Sequence, residues 1–154
     1  MDLINLKWTK NVKHPDSKLW AYPNVNTGDL FKLSWKDNTS NADKPDKDDL
    51  ILLRQKGYVT HLVKVLDYKH EKYPWEGDYN IYRIVETIWA INCHHPLISA
   101  KADIVFGYPE VLSYEGGNVM ELETLPTFKT YWDSNGGFQE FKNRVCTMLN
   151  LSSN

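Results

Sequence analysis

Cys93-His94-His95-Pro96 is the densest run of nucleophile and metal-ligand types in the chain. Adjacent histidines on a strand point to opposite faces, so the pair does not converge on one ion. No GxGxxG, P-loop, GxSxG or HExxH run accompanies them. The sequence therefore predicts no catalytic residue, no metal site and no cofactor, with an enzyme using Cys93, His94 or His95 as the weaker alternative. Aromatic side chains are the stronger signal, with 6 Trp and 9 Tyr among 154 residues. Trp20, Tyr22, Trp35 and Trp75 fall beside Lys, Pro or polar residues in segments that read as loops or strand ends. Two facing indoles form a slot for a flat base, with stacking worth about 1–3 kcal/mol per base. Such rings also hold a methylated group, at roughly 0.5–2 kcal/mol. The bland alternative is that they cap the open ends of a small barrel, and Trp89, in mid-strand, reads as core.

Charge is distributed unevenly around a formal net value of −2. Residues 1–75 hold 13 Lys/Arg against 10 Asp/Glu, an excess of +3, whereas residues 76–154 hold 5 against 10, an excess of −5. A protein held to duplex DNA mainly by phosphates is usually basic. Nucleic-acid affinity here would have to come from the N-terminal half together with a pocket. Lys10, Lys18, Arg54 and Lys56 are the candidate phosphate contacts, although scattered charge of this kind is also what a solvated surface looks like. Strand alternation places Lys10 and Trp8 on one face.

These residues need elements to position them. Residues 3–12 read as an opening strand and Leu30–Trp35 as a second one. Residues 36–49 are almost wholly polar and read as a mobile loop. Leu50–Leu53 and Tyr58–Leu66 form a hairpin about Gln55-Lys56-Gly57, and 70–79 is another loop. Ile81–Ile91 is the longest strand-like run, apolar on both faces as a central strand requires. Residues 102–108 fit a helix end or a strand equally well, and 118–125 read as a strand. Phe138, Phe141, Val145 and Met148 recur at helical spacing and predict a C-terminal amphipathic helix. One α+β domain over 1–154 follows: a small curved sheet or barrel with peripheral helices. Two cysteines, no long apolar run and no basic-then-apolar start predict a reduced, cytoplasmic chain without a membrane span.

In that order of elements the chain resembles the PUA-like superfamily, and within it the EVE and YTH domains. Ser17-Lys18-Leu19-Trp20 is similar to the segment in which YTH domains place a pocket tryptophan. Gly28-Asp29-Leu30-Phe31-Lys32-Leu33, with Gly57 to Val65 after it, resembles the paired strands of EVE domains. Lys72-Tyr73-Pro74-Trp75-Glu76-Gly77 resembles the YTH loop that carries a second cage tryptophan, and Gly136 to Phe141 falls where these domains keep a terminal helix. The resemblance implies a curved sheet of five or six strands. It also implies a noncatalytic pocket for a modified or flipped base of DNA or RNA. Trp20 and Trp75 would line it, with Trp8, Asn11, Tyr22 and Trp35 as neighbours. An amide such as that of Asn11 offers a donor and an acceptor to a base edge. The acidic second half and the long 36–49 run depart from the family pattern. A protein- or small-ligand-binding module is the alternative reading.

Overall fold

A computed structural model describes residues 2–73 and 79–151. Seven strands are present in it: β1 Leu6–Asn11, β2 Leu30–Trp35, β3 Leu50–Gln55, β4 Tyr58–Val65, β5 Glu71–Lys72, β6 Ile81–Ala90 and β7 Val119–Glu121. Four α-helices accompany them: α1 Thr39–Ala42, α2 Ala102–Phe106, α3 Pro126–Asp133 and α4 Gly137–Met148. The architecture is α+β, a strongly curled, mixed half-barrel sheet with the larger helices around it. Strand order is β2-β6-β4-β3-β1-β7, with the short β5 beside β6. Only the β1–β3 pair is parallel among these pairings.

The predicted hairpin is β3–β4, and its turn explains its tightness. Lys56 and Gly57 both have positive φ, 53° and 79°, so a two-residue loop follows the right-handed twist of the strands. β3 is buried along its whole length and β4 along most of it, because the sheet is covered on both sides. Leu50, Leu52, Val59 and Leu62 face a core built with α2, α3 and α4. Ile51, Leu53, Val63 and Val65 face the opposite, concave core, together with Trp8, Val12, Leu33, Trp35 and Val85. Register shifts at Leu6/Trp8, Leu53/Arg54 and Leu62/Val63 supply the bends that curl the sheet. In α4, Phe141 and Val145 are buried, and Phe141 meets Phe106, Phe128 and Trp132 at ring-centroid distances of 5.2, 4.8 and 5.5 Å.

Several segments differ from the sequence expectation. The polar run 36–49 is not a loose loop: α1 forms within it, capped by the Asn38 side chain, and Asn41 and Ala42 are buried. Asn41 does the closing. Its amide accepts from the Val119 N–H (2.7 Å) and donates to the Val119 C=O (3.1 Å), imitating a strand partner for β7. The same Oδ1 accepts the Trp35 indole N–H of β2 at 2.8 Å, so one side chain bridges the two edges of the half-barrel. Arg83, 0% exposed on β6, donates to the carbonyls of Ala42 and Pro45, each at 2.8 Å. Its remaining donors meet the carboxylate of Asp67 at 2.6 Å and the Asp67 C=O at 2.9 Å. Residues 102–106 are helical. The expected strand at 118–125 is only β7, after which Leu122–Thr124 make a 3₁₀ turn.

Candidate functional site

β1 carries Trp8 and Lys10 toward the concave side, as strand alternation requires, and Val12 just after it joins the same core. At the rim of the half-barrel the end of β1 faces Ser34 and Lys36 at the end of β2, and the gap between them is a cleft of about 250 Å³. That volume lies just under the range of small-molecule sites, roughly 300–1,000 Å³. Lys10 is part of its lining. The residue is 1% exposed, its Nζ lies 4.7 Å from the Trp35 ring centroid, and it donates to the Gly117 C=O at 2.5 Å. Gly116 has φ +91°, a conformation open to glycine, and the turn it makes brings the Gly117 carbonyl to the lysine. Burial holds the Lys10 ammonium down to about 7, because a charge taken from water is disfavoured unless partnered.

Tyr22 forms one wall of the cleft and Tyr79 is also part of the lining. Both adopt left-handed backbone, φ 52° and 60°, which costs a side-chain-bearing residue roughly 1–2 kcal/mol. Tyr22 is held there by contacts on three sides. Its hydroxyl accepts the Ser34 N–H at 3.0 Å, its ring lies 4.5 Å from that of Phe31, and its C=O meets His61 Nε2 at 3.0 Å. A carbonyl only accepts, so Nε2 carries the His61 proton and Nδ1 accepts from Thr60 Oγ1 at 2.8 Å. Gln55 completes the support: it donates to Thr60 Oγ1 at 3.2 Å and exchanges two hydrogen bonds with the Ala21 backbone. Burial pushes His61 down to about 4. Lys13 and Lys36 add cationic side chains to the rim, and no carboxylate lines the cleft among the described residues.

Of the residues expected at a site, the structure brings Lys10, Asn11 and Tyr22 into this cleft. Trp35 lies beneath it, 1% exposed and covered by Lys10, so its face is not open to a base. Trp8 is buried, with its indole N–H on Asp49 at 2.8 Å. Trp20 is elsewhere: it packs against the helical core, with Tyr58 at 6.2 Å and Lys56 Nζ 4.9 Å from its ring. Trp75 lies outside the described residues. Arg54 is not a surface cation. It is buried, with its guanidinium turned to Thr9 at 2.8 Å and to the Tyr114 C=O at 2.9 Å, where a surface phosphate does not reach it. Lys18 and Lys56 are exposed.

The cleft residues not expected at a site from the sequence are Val12, Lys13, Ser34, Lys36, Tyr79, Gly116 and Gly117. Their common signal is position at the ends of strands and turns, which share a rim once the sheet has curled. Cys93 is buried while His94 and His95 are exposed, and no group of three or more His, Cys, Asp or Glu side chains is placed to hold a metal among the described residues. No described helix is long and apolar enough to cross a membrane. Comparison with known proteins finds no matching family model and no matching curated protein.

Proposed function

We propose that this chain is a noncatalytic nucleic-acid-binding domain of the PUA-like kind, taking an unpaired or flipped base of DNA or RNA, modified or not, into the cleft between β1 and β2. One observation supports this most. In a chain of net negative charge, the cleft is lined by Lys10, Lys13 and Lys36 with Tyr22 and Tyr79, and by no described carboxylate. Cations at a rim attract phosphate, and an aromatic wall offers a base its flat face at about 1–3 kcal/mol. Extruding a paired base costs a few kcal/mol, so single strands are the preferred substrate form. In this reading Tyr22 and Tyr79 take the part that the family resemblance implies for Trp20 and Trp75.

The test is a titration of short single-stranded oligonucleotides, with and without base methylation, followed by tryptophan emission. The double variant Lys13→Ala/Lys36→Ala should bind about ten- to a hundredfold more weakly, and its log–log salt slope should fall by about 1.4 if two phosphate contacts are lost. Equal affinity and slope in the folded double variant would overturn the assignment. A second reading rests on exposed apolar side chains near the helices, Leu97 at 65% and Ile98 at 69%. It makes the chain a protein-binding module, whose affinity would barely respond to salt.

A further inference from the structure

We propose, resting on the nucleic-acid reading above, that the cleft selects the base it takes by an exocyclic carbonyl oxygen: Lys10 donates to the oxo group of a guanine- or uracil-type base and disfavours an amine at that place. The geometry carries this. Lys10 lines the cleft while being only 1% exposed, whereas Lys13 and Lys36, which line it too, are exposed and would meet phosphates. Among the described residues it has one hydrogen bond, to the Gly117 C=O, and its Nζ lies 4.7 Å from the Trp35 ring centroid. An ammonium carries three donors and no acceptor, so two N–H groups remain for a ligand. Buried donors favour a ligand with matching acceptors and penalise one that leaves them unmade. Adenine and cytosine place an amino group where guanine and uracil or thymine place an oxygen, and that amine would meet another donor.

Protonation reinforces the choice. With its ordinary value lowered to about 7 by burial, Lys10 is poised between ammonium and amine near neutral pH. The charged and titratable groups around it in the described cleft are Lys13 on its own strand segment, Lys36 beyond β2, and the phenols of Tyr22 and Tyr79. None of these supplies a negative charge at neutral pH. A carbonyl oxygen stabilises the ammonium form, so binding an oxo base draws in a proton. The neutral amine has a lone pair and can accept from an amino group. Discrimination is therefore strongest at low pH and shrinks as the lysine deprotonates.

The experiment uses short oligonucleotides that are abasic except for one central base: hypoxanthine, adenine, uracil or cytosine. Phosphate charge is identical in all four, and the first pair differs chiefly in an oxo group against an amine. Tryptophan emission, to which Trp35 beside the Lys10 ammonium contributes, reports occupancy. At about pH 6 the hypoxanthine and uracil oligonucleotides should bind about tenfold more tightly than their amino counterparts. Lys10→Met should abolish the preference, and in the wild-type protein the preference should narrow at about pH 8.5. Equal affinity for the four bases, a preference kept in folded Lys10→Met, or a wild-type preference independent of pH would each overturn the carbonyl assignment while leaving nucleic-acid binding in place. Failure of all four, and of ordinary single strands, would overturn the parent reading and this one together.

Discussion

His61 illustrates how little freedom the side chains behind the cleft possess. Thr60 and the Tyr22 carbonyl fix its neutral tautomer, and burial holds its pKa near 4 rather than 6.5. The sign of the consequence follows from proton counting. Between those two values the unfolded chain binds the proton and the folded chain does not, so acid favours unfolding. The contribution is complete above about pH 6.5 and is lost as pH falls toward 4, amounting to about 3 kcal/mol. Denaturant titrations at several pH values should show this loss in the wild-type protein and a shallower one in His61→Gln. Identical acid slopes would refute the assignment. Alternation in the sequence was enough to put Trp8 and Lys10 on one face. It could not show that the lysine is buried, because lysine is rarely so and the cover comes from Trp35 and Gly117, distant in sequence. Trp20 and Tyr22, two residues apart, end in different environments because the Ala21 backbone is strapped to Gln55. Nothing local to 17–23 encodes that strap.

Among the elements, closure of the half-barrel depends on α1 more than its four residues would imply. Asn41 satisfies the Val119 backbone and the Trp35 indole at once. Asn41→Ala leaves those buried groups unpaired, each at about 1–3 kcal/mol before relaxation or water entry. We expect a net loss of roughly 2–4 kcal/mol in denaturant stability. Asn41→Asp should also destabilise, since a carboxylate still accepts but cannot donate to the Val119 carbonyl. Stability unchanged in both variants would show that the bridge does not matter. The main strands were legible because β-branched and aromatic runs are bounded by turn residues. The bridge was not, since its partners lie 78 residues apart and Asn41 sits in a run without apolar periodicity. Helix α3 did leave a local trace, Pro126 at its first position with Phe128 and Trp132 four apart on its buried face.

At the scale of the whole molecule, one sheet separates two cores and both depend on it. β3 and β4 send alternate residues into each, so neither core survives loss of these strands. Unfolding should accordingly be a single transition. Tryptophan emission samples both sides, through Trp35 in one core and Trp132 in the other, and its denaturant midpoint should coincide with that of far-ultraviolet circular dichroism. Separate midpoints would mean that the cores fold independently. The α+β class and curved sheet were readable because strand runs dominate and a C-terminal helix is strongly periodic. The rim that makes the cleft was not, because curvature comes from register shifts, which leave no simple pattern in the chain. The anchoring of 36–49 by Arg83 has a consequence for how such a chain can change length. Ala42 and Pro45 are both gripped by one guanidinium whose other side is tied to Asp67. The stretch from Asn38 to Pro45 is therefore metered, and an added or deleted residue there would break the grip or pull Asn41 off β7. Insertions that evolution or an engineer places in so polar a segment have room only before Asn38 or after Pro45.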